Sequence, residues 1–99
     1  MLLKITNVYL HTSNDPDSDA AKEWLNANGV PFTLLHYGDA EQHPLVFDAL
    51  NGWFNTNFDS FPIVVYDEIH DDKPSERSYI YGLEALRQST LAELHQLGQ

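Results

Sequence analysis

Apolar and polar positions along the chain alternate between two periods. In residues 4 to 12, KITNVYLHT, Ile5, Val8 and Leu10 are apolar among β-favouring Val, Ile, Tyr and Thr, which predicts a strand. SNDPDSD follows as a helix start. Asp15 suits the cap, Pro16 the first helical position, and Asp17 and Asp19 the positive end of the helix dipole. Ala20, Ala21, Trp24 and Leu25 then recur at helical spacing, until Asn28-Gly29 and Pro31 end the run. Residues 31 to 37, PFTLLHY, predict a second strand. Pro44 opens a second helix whose apolar face is Leu45, Val46, Ala49, Leu50 and Trp53.

Residues 51 to 60 read as a loop rich in Asn and aromatic residues, and FPIVVY as a buried third strand. Residues 67 to 78 form a polar excursion, the enlarged tip of a hairpin whose return strand is Ser78 to Tyr81. Gly82 leads into helix with Leu83, Leu86, Leu91, Leu94 and Leu97 apolar. Thr90-x-x-Glu93 matches a capping box, so this helix is expected to break near Ser89. The order is β-α-β-α-β-β-α. A right-handed parallel crossover and an antiparallel hairpin then give an α/β fold, a four-stranded mixed sheet with helices on both faces.

Length turns this order into a single domain over residues 1–99, long enough for one core without covalent staples. Fifteen Asp and Glu against five Lys and Arg leave a net charge of −10, which argues against direct nucleic-acid binding through phosphates. The opening MLLKITNVYLH is too short an apolar run for a signal peptide or a membrane span, so a cytoplasmic protein without membrane contact is expected. Zero cysteine removes disulfides, thiolate nucleophiles and Cys-based metal sites.

Further chemistry is sparse. Asp15-x-Asp17-x-Asp19 has the opening spacing of a calcium loop, but Ala20 and Asn26 stand where the loop needs Gly and Glu. His11, His36, His43, His70 and His95 lack metal-site spacing, so no metal and no cofactor are expected; His11 and His36 read as solvated strand-end residues. Asp67, Glu68, Asp71 and Asp72 read as a solvated loop or a docking loop for a basic partner.

Several landmarks together resemble glutaredoxins of the thioredoxin fold. Ala21-Lys22-Glu23-Trp24-Leu25 matches the run that follows the family's Cys-Pro-Tyr-Cys motif, which sets Asp15-Pro16-Asp17-Ser18 in the motif's place. Gly29-Val30-Pro31-Phe32 resembles the passage into strand two. Ser60-Phe61-Pro62 resembles Thr-Val-Pro, which implies a cis-proline at Pro62. Tyr81-Gly82-Leu83 is a reduced form of Gly-Gly-Tyr-Asp-Asp.

The resemblance implies that Asp15 and Ser18 occupy the two cysteine positions. A carboxylate cannot form a mixed disulfide and a hydroxyl cannot resolve one, so the chain is read as redox-inactive and not an enzyme. Glutathione binding is not expected. The approach Thr12-Ser13-Asn14-Asp15 has no cation, and Asp15, Asp17 and Asp19 repel an anionic ligand.

Topology brings residues 13–18, 37–42, 57–61 and 81–84 to one pole. There Tyr37, Phe58, Phe61 and Tyr81 are expected to line an apolar groove rimmed by Asp15 and Asp17, a partner-binding surface. The leading reading is a non-catalytic protein-binding module. The alternatives are an acidic inhibitor or nucleic-acid mimic of phage or mobile-element origin that targets a host enzyme, and a residual glutathione or small-ligand binder.

Overall fold

The structure is a computed structural model and describes residues 1–97; residues 98 and 99 and the side chain of Leu97 lie outside the described residues. The elements are β1 (Leu2–Thr12), α1 (Pro16–Ala27), β2 (Thr33–His36), α2 (His43–Phe54), β3 (Ile63–His70), β4 (Glu76–Tyr81), α3 (Leu83–Gln88) and α4 (Leu91–Leu97). The sheet order is β2-β1-β3-β4. β1 and β2 are parallel, while β3 runs antiparallel to both β1 and β4. This is the expected mixed sheet. Among the described residues, no helix is long and apolar enough to cross a membrane.

Each sheet face carries its own core. On one side Ile5, Val8, Leu10, Val64 and Tyr66 meet Ala21 and Leu25 of α1, Leu86 of α3 and Leu91 of α4. On the other, Ile63 and Val65 meet Leu50 of α2 and the rings of Phe58 and Phe61. β3 supplies both faces from its alternate residues, which explains its unbroken Ile-Val-Val run.

β1 keeps its core face only because of a bulge. Ile5 and Val8 are three apart, so strict alternation would send them to opposite faces. The register with β3 shifts between Thr6 and Tyr9, and Asn7 takes a positive φ of 52°. The extra residue restores Val8 and Leu10 to the face of Ile5. Asn7 suits this conformation, and its side-chain amide donates to Asp67 Oδ2 at 3.0 Å.

Several expectations change. β1 begins at Leu2 and β2 is confined to Thr33–His36. α2 turns a different face inward: Val46, Phe47, Leu50 and Phe54 pack on the core, while Leu45, Ala49 and Trp53 are exposed. Phe47 and Phe54 are large rings at i, i+3 and i+7 spacing with Leu50, and they outcompete the neighbouring stripe for the sheet. Trp53 lays its ring against the Arg77 guanidinium, 5.3 Å from the ring centroid.

The helix also continues to Phe54, so the loop starts at Asn55 and not Asn51. The hairpin tip is shorter than expected, because β3 runs on through Asp67–His70 and β4 starts at Glu76. Asp67 pairs with Arg77 there (Nε to Oδ1, 2.9 Å), and the guanidinium holds its carboxyl below the usual range. α3 ends at Gln88 with Ser89 as its extended cap, so the helix breaks near Ser89 as expected, but the capping of α4 differs. Thr90 supplies its carbonyl to Leu94 N, and the hydroxyl at the Leu91 amide is that of Ser89, 3.4 Å away.

Asn51, inside α2, fixes the descent into β3. Its Oδ1 accepts from Phe58 N at 2.5 Å and its Nδ2 donates to Phe58 O at 3.1 Å. Both backbone groups belong to a residue whose ring is 2% exposed. Asn51→Ala is expected to cost about 1–3 kcal/mol, the penalty for orphaning buried polar groups. Urea unfolding measures it, and a loss within error of zero would show that water replaces the clamp.

Candidate functional site

The β1–α1 junction is a closed polar knot. Asp15 caps α1 from an extended backbone, its Oδ1 accepting from Ser18 N at 2.7 Å. Its Oδ2 accepts from Ser18 Oγ at 3.0 Å. Ser18 Oγ in turn accepts from Ser13 N at 3.1 Å. Ser18 is buried, at 1% exposure, and Ser13 at 8%. Both oxygens of Asp15 are therefore engaged in holding the turn. Asp17 and Pro16 are exposed on the first turn of α1.

Phe61–Pro62 is a cis peptide bond facing this junction. Strand pairing of β3 begins at Ile63, which leaves the backbone of Phe61 outside the sheet's ladders. The neighbouring loop is tied down by Tyr81, whose hydroxyl donates to Asp59 Oδ1 at 2.5 Å and accepts from Asp59 N at 3.1 Å. Gly82 closes the other side, its N–H donating to Pro62 O at 2.9 Å.

Between these parts lies an open cleft of about 520 Å³, lined by residues 13–17, by His43 and Phe47 of α2, and by residues 59–61. It carries the carboxylates of Asp15, Asp17 and Asp59 and no Lys or Arg.

The cleft differs from the aromatic groove that the sequence suggests. Phe58 is 2% and Phe61 8% exposed, so neither ring projects to meet a partner; both fill the core under α2, and Phe61 contributes only an edge to the cleft wall. Tyr37 and Tyr81 are half-buried. Tyr37 stacks on Phe61 at 5.7 Å and on His11 at 5.9 Å, and Tyr81 packs on Phe58 at 4.8 Å. The rings brace one another behind the cleft. What faces the cleft is a mixed lining, the carboxylates of Asp15, Asp17 and Asp59 beside Pro16 and Phe47.

His43, which sequence spacing did not single out, belongs to this site. Its Nε2 lies 3.0 Å from Ser13 Oγ and 2.8 Å from the carbonyl of Tyr37. The pair has the spacing of a nucleophile and its base. The carbonyl decides otherwise. A carbonyl oxygen only accepts, so the short contact requires Nε2 to carry its proton and donate. A protonated Nε2 cannot remove a proton from Ser13. Ser13 Oγ also donates to the same carbonyl, at 2.9 Å. The trio anchors the end of β2 to β1 and α2.

His11 is also misjudged as a solvated residue. It is 9% exposed, and its Nδ1 lies 3.1 Å from the Tyr37 hydroxyl. Burial pushes its pKa below the ordinary 6.5. His36 remains exposed, with Nδ1 at 3.1 Å from Thr12 Oγ1 and Nε2 at 2.8 Å from Asn14 Oδ1.

Comparison with solved structures now gives this geometry a context. Glutaredoxin 1 from Francisella tularensis, solved in complex with cacodylate, superposes with a TM-score of 0.66 at 22% sequence identity, over 85% of this chain and 90% of that one. The fold is that of a glutaredoxin. No protein-family model matches the chain, and no curated protein matches it. A glutaredoxin-like fold without a single cysteine has no thiol of its own for thiol–disulfide exchange.

Two outcomes follow from the site. Asp15 and Ser18 touch across one helical turn, so the double substitution Asp15→Cys and Ser18→Cys is expected to form an intramolecular disulfide on mild oxidation. Mass spectrometry reads it as a loss of two hydrogens; free thiols after oxidation would show that the junction cannot hold a redox pair. For His11, the unfolded chain binds a proton near pH 6.5 and the folded chain only below it. Stability is therefore lost as pH falls below about 6.5. In His11→Phe this part of the slope should vanish, so the stability of the wild-type protein relative to His11→Phe is expected to fall as pH drops from 7 to 5. Parallel curves between pH 7 and 5 would show that His11 titrates normally.

Proposed function

We propose that this glutaredoxin-like domain is a redox-inactive protein-binding module whose cleft receives an extended, basic segment of another protein. The observation that carries the reading is the lining of the cleft. Asp15, Asp17 and Asp59 converge on it with no Lys or Arg among them. An anionic ligand would meet uncompensated repulsion there, and glutathione carries two carboxylates against one amine. A Lys- or Arg-bearing chain meets the opposite field.

The backbone supports an extended ligand in particular. Phe61 lies beside the cleft with its backbone outside the ladders, so a strand laid across it gains main-chain hydrogen bonds, the usual source of affinity in strand addition. The rim supplies charge selection and the Phe47 and Phe61 edges supply apolar contact. Asp15 is already occupied as a helix cap, so Asp17 and Asp59 are the carboxylates left to discriminate among ligands.

The reading is tested by fluorescence anisotropy with labelled extended peptides, basic and acidic versions of one length, and by calorimetry with glutathione. The basic peptide should bind at least about tenfold more tightly than the acidic one, a difference of about 1.4 kcal/mol. The double substitution Asp17→Asn and Asp59→Asn should remove most of that preference, and added salt should weaken binding because the carboxylates are exposed. Equal binding of both peptides, saturable glutathione binding, or a preference that survives the double substitution would each sink the assignment.

A further inference from the structure

Far from the cleft, the end of the β3–β4 hairpin carries a group of side chains that no packing argument explains. Glu68 and Glu76 are direct cross-strand partners. Like charges placed directly opposite each other are destabilising, and Lys73 reaches only Glu76, at 3.2 Å, while Glu68 has no Lys or Arg in ion-pair contact among the described residues. His70 stands two residues beyond Glu68 on β3, so its side chain leaves the same face.

Its side chain is only 10% exposed. Its Nε2 is buried and has no hydrogen-bond partner, the only such side-chain atom among the described residues. That nitrogen points toward Glu68, 3.9 Å from Oε1, too far for a hydrogen bond. One ligand atom from each of Glu68, His70 and Glu76 lies within 4.8 Å of the other two.

We propose that Glu68, His70 and Glu76 form a binding site for a first-row divalent metal ion of the zinc class. One imidazole nitrogen and two carboxylate oxygens are the donor set that Zn²⁺ accepts, with ligand bonds of about 2.0–2.2 Å. Atoms bound to one such ion in a tetrahedron stand about 3.4 Å apart. The present separations need a contraction of a few tenths of an ångström at the Glu68–His70 pair, and a rotamer change of the exposed Glu76 closes the rest. Water takes the fourth position. The ion answers both anomalies together: it gives the orphaned Nε2 a partner and separates two opposed carboxylates with positive charge. Lys73, 3.2 Å from Glu76 Oε1 across an exposed contact, does neither for His70, and releases Glu76 when the metal enters.

The rival account is a bare His70–Glu68 ion pair with Glu76 held by Lys73. The two are separated by titrating the intact protein with Zn²⁺ at about 0.15 M salt and in excess Mg²⁺, so that general attraction to the −10 charge is suppressed. Histidine ring nitrogen NMR follows each imidazole. The His70 Nε2 resonance is expected to shift with a stoichiometry of one while those of His11, His36 and His43 stay, and the melting temperature should rise with Zn²⁺ concentration. His70→Gln should lower the affinity at least about tenfold, and Glu76→Gln, an exposed position that spares folding, should lower it as well. Zn²⁺ binding weaker than about 1 mM, an unmoved His70 resonance, or equal affinity in Glu76→Gln would overturn the proposal in favour of the ion pair.

Discussion

Everything at the cleft end depends on how Asp15 is occupied. A carboxylate that accepts from both the backbone and the hydroxyl of Ser18 is a cap, not a reactant. Through Ser18 Oγ the same contact reaches Ser13 N, so three residues on both sides of the β1–α1 turn are held by one side chain. Ser18 is buried completely enough that its hydroxyl must find partners inside the protein, and it finds them in Asp15 and Ser13. In a redox member of this fold the corresponding turn must keep a sulfur accessible and partly unsatisfied. Here the polar groups satisfy each other.

This closure also sets what remains available to a ligand. With Asp15 engaged, Ser13 and His43 both directed at the Tyr37 carbonyl, and Tyr81 holding Asp59 and Ser60, the walls of the cleft are tied together by hydrogen bonds within the protein. A preformed wall loses little entropy on association. What it offers is fixed as well: carboxylates at the rim, a free stretch of backbone at Phe61, and ring edges below. Apolar ring contact is limited to Phe47 and the part of Phe61 that reaches the cleft, because Phe58 is buried in the core.

The sequence carried the element order, the α1 cap and the helix break well, because each rests on local chemistry that no tertiary contact opposes. It misled where two local signals competed. α2 contains two adjacent apolar stripes, Leu45/Ala49/Trp53 and Val46/Phe47/Leu50/Phe54, and periodicity alone does not rank them. Only the sheet beneath, with its need for large rings, chooses the second. Asp67-Glu68-Ile69-His70 reads as loop because it is polar, yet it pairs with β1 along its length, and the strand tolerates charge where Arg77 stands opposite Asp67. The bulge at Asn7 was legible in principle, since Ile5 and Val8 cannot share a face of a regular strand. His43 was not legible: its role comes from a carbonyl at Tyr37, and backbone partners leave no mark on side-chain spacing.

β3 joins the two ends of the molecule and keeps them separate. It starts at Ile63, two residues after Phe61 of the cleft lining, and at His70 it holds the buried imidazole of the hairpin. Seven residue steps at about 3.3 Å each put those ends roughly 23 Å apart along one strand. Between them Val64 and Tyr66 are buried in one core and Val65 in the other, so shifting the strand would unpack both faces. Coupling between distant sites needs an element with two arrangements that both sites bias. β3 is not one. On this ground a ligand in the proposed cleft site should leave Zn²⁺ affinity at the proposed hairpin site unchanged.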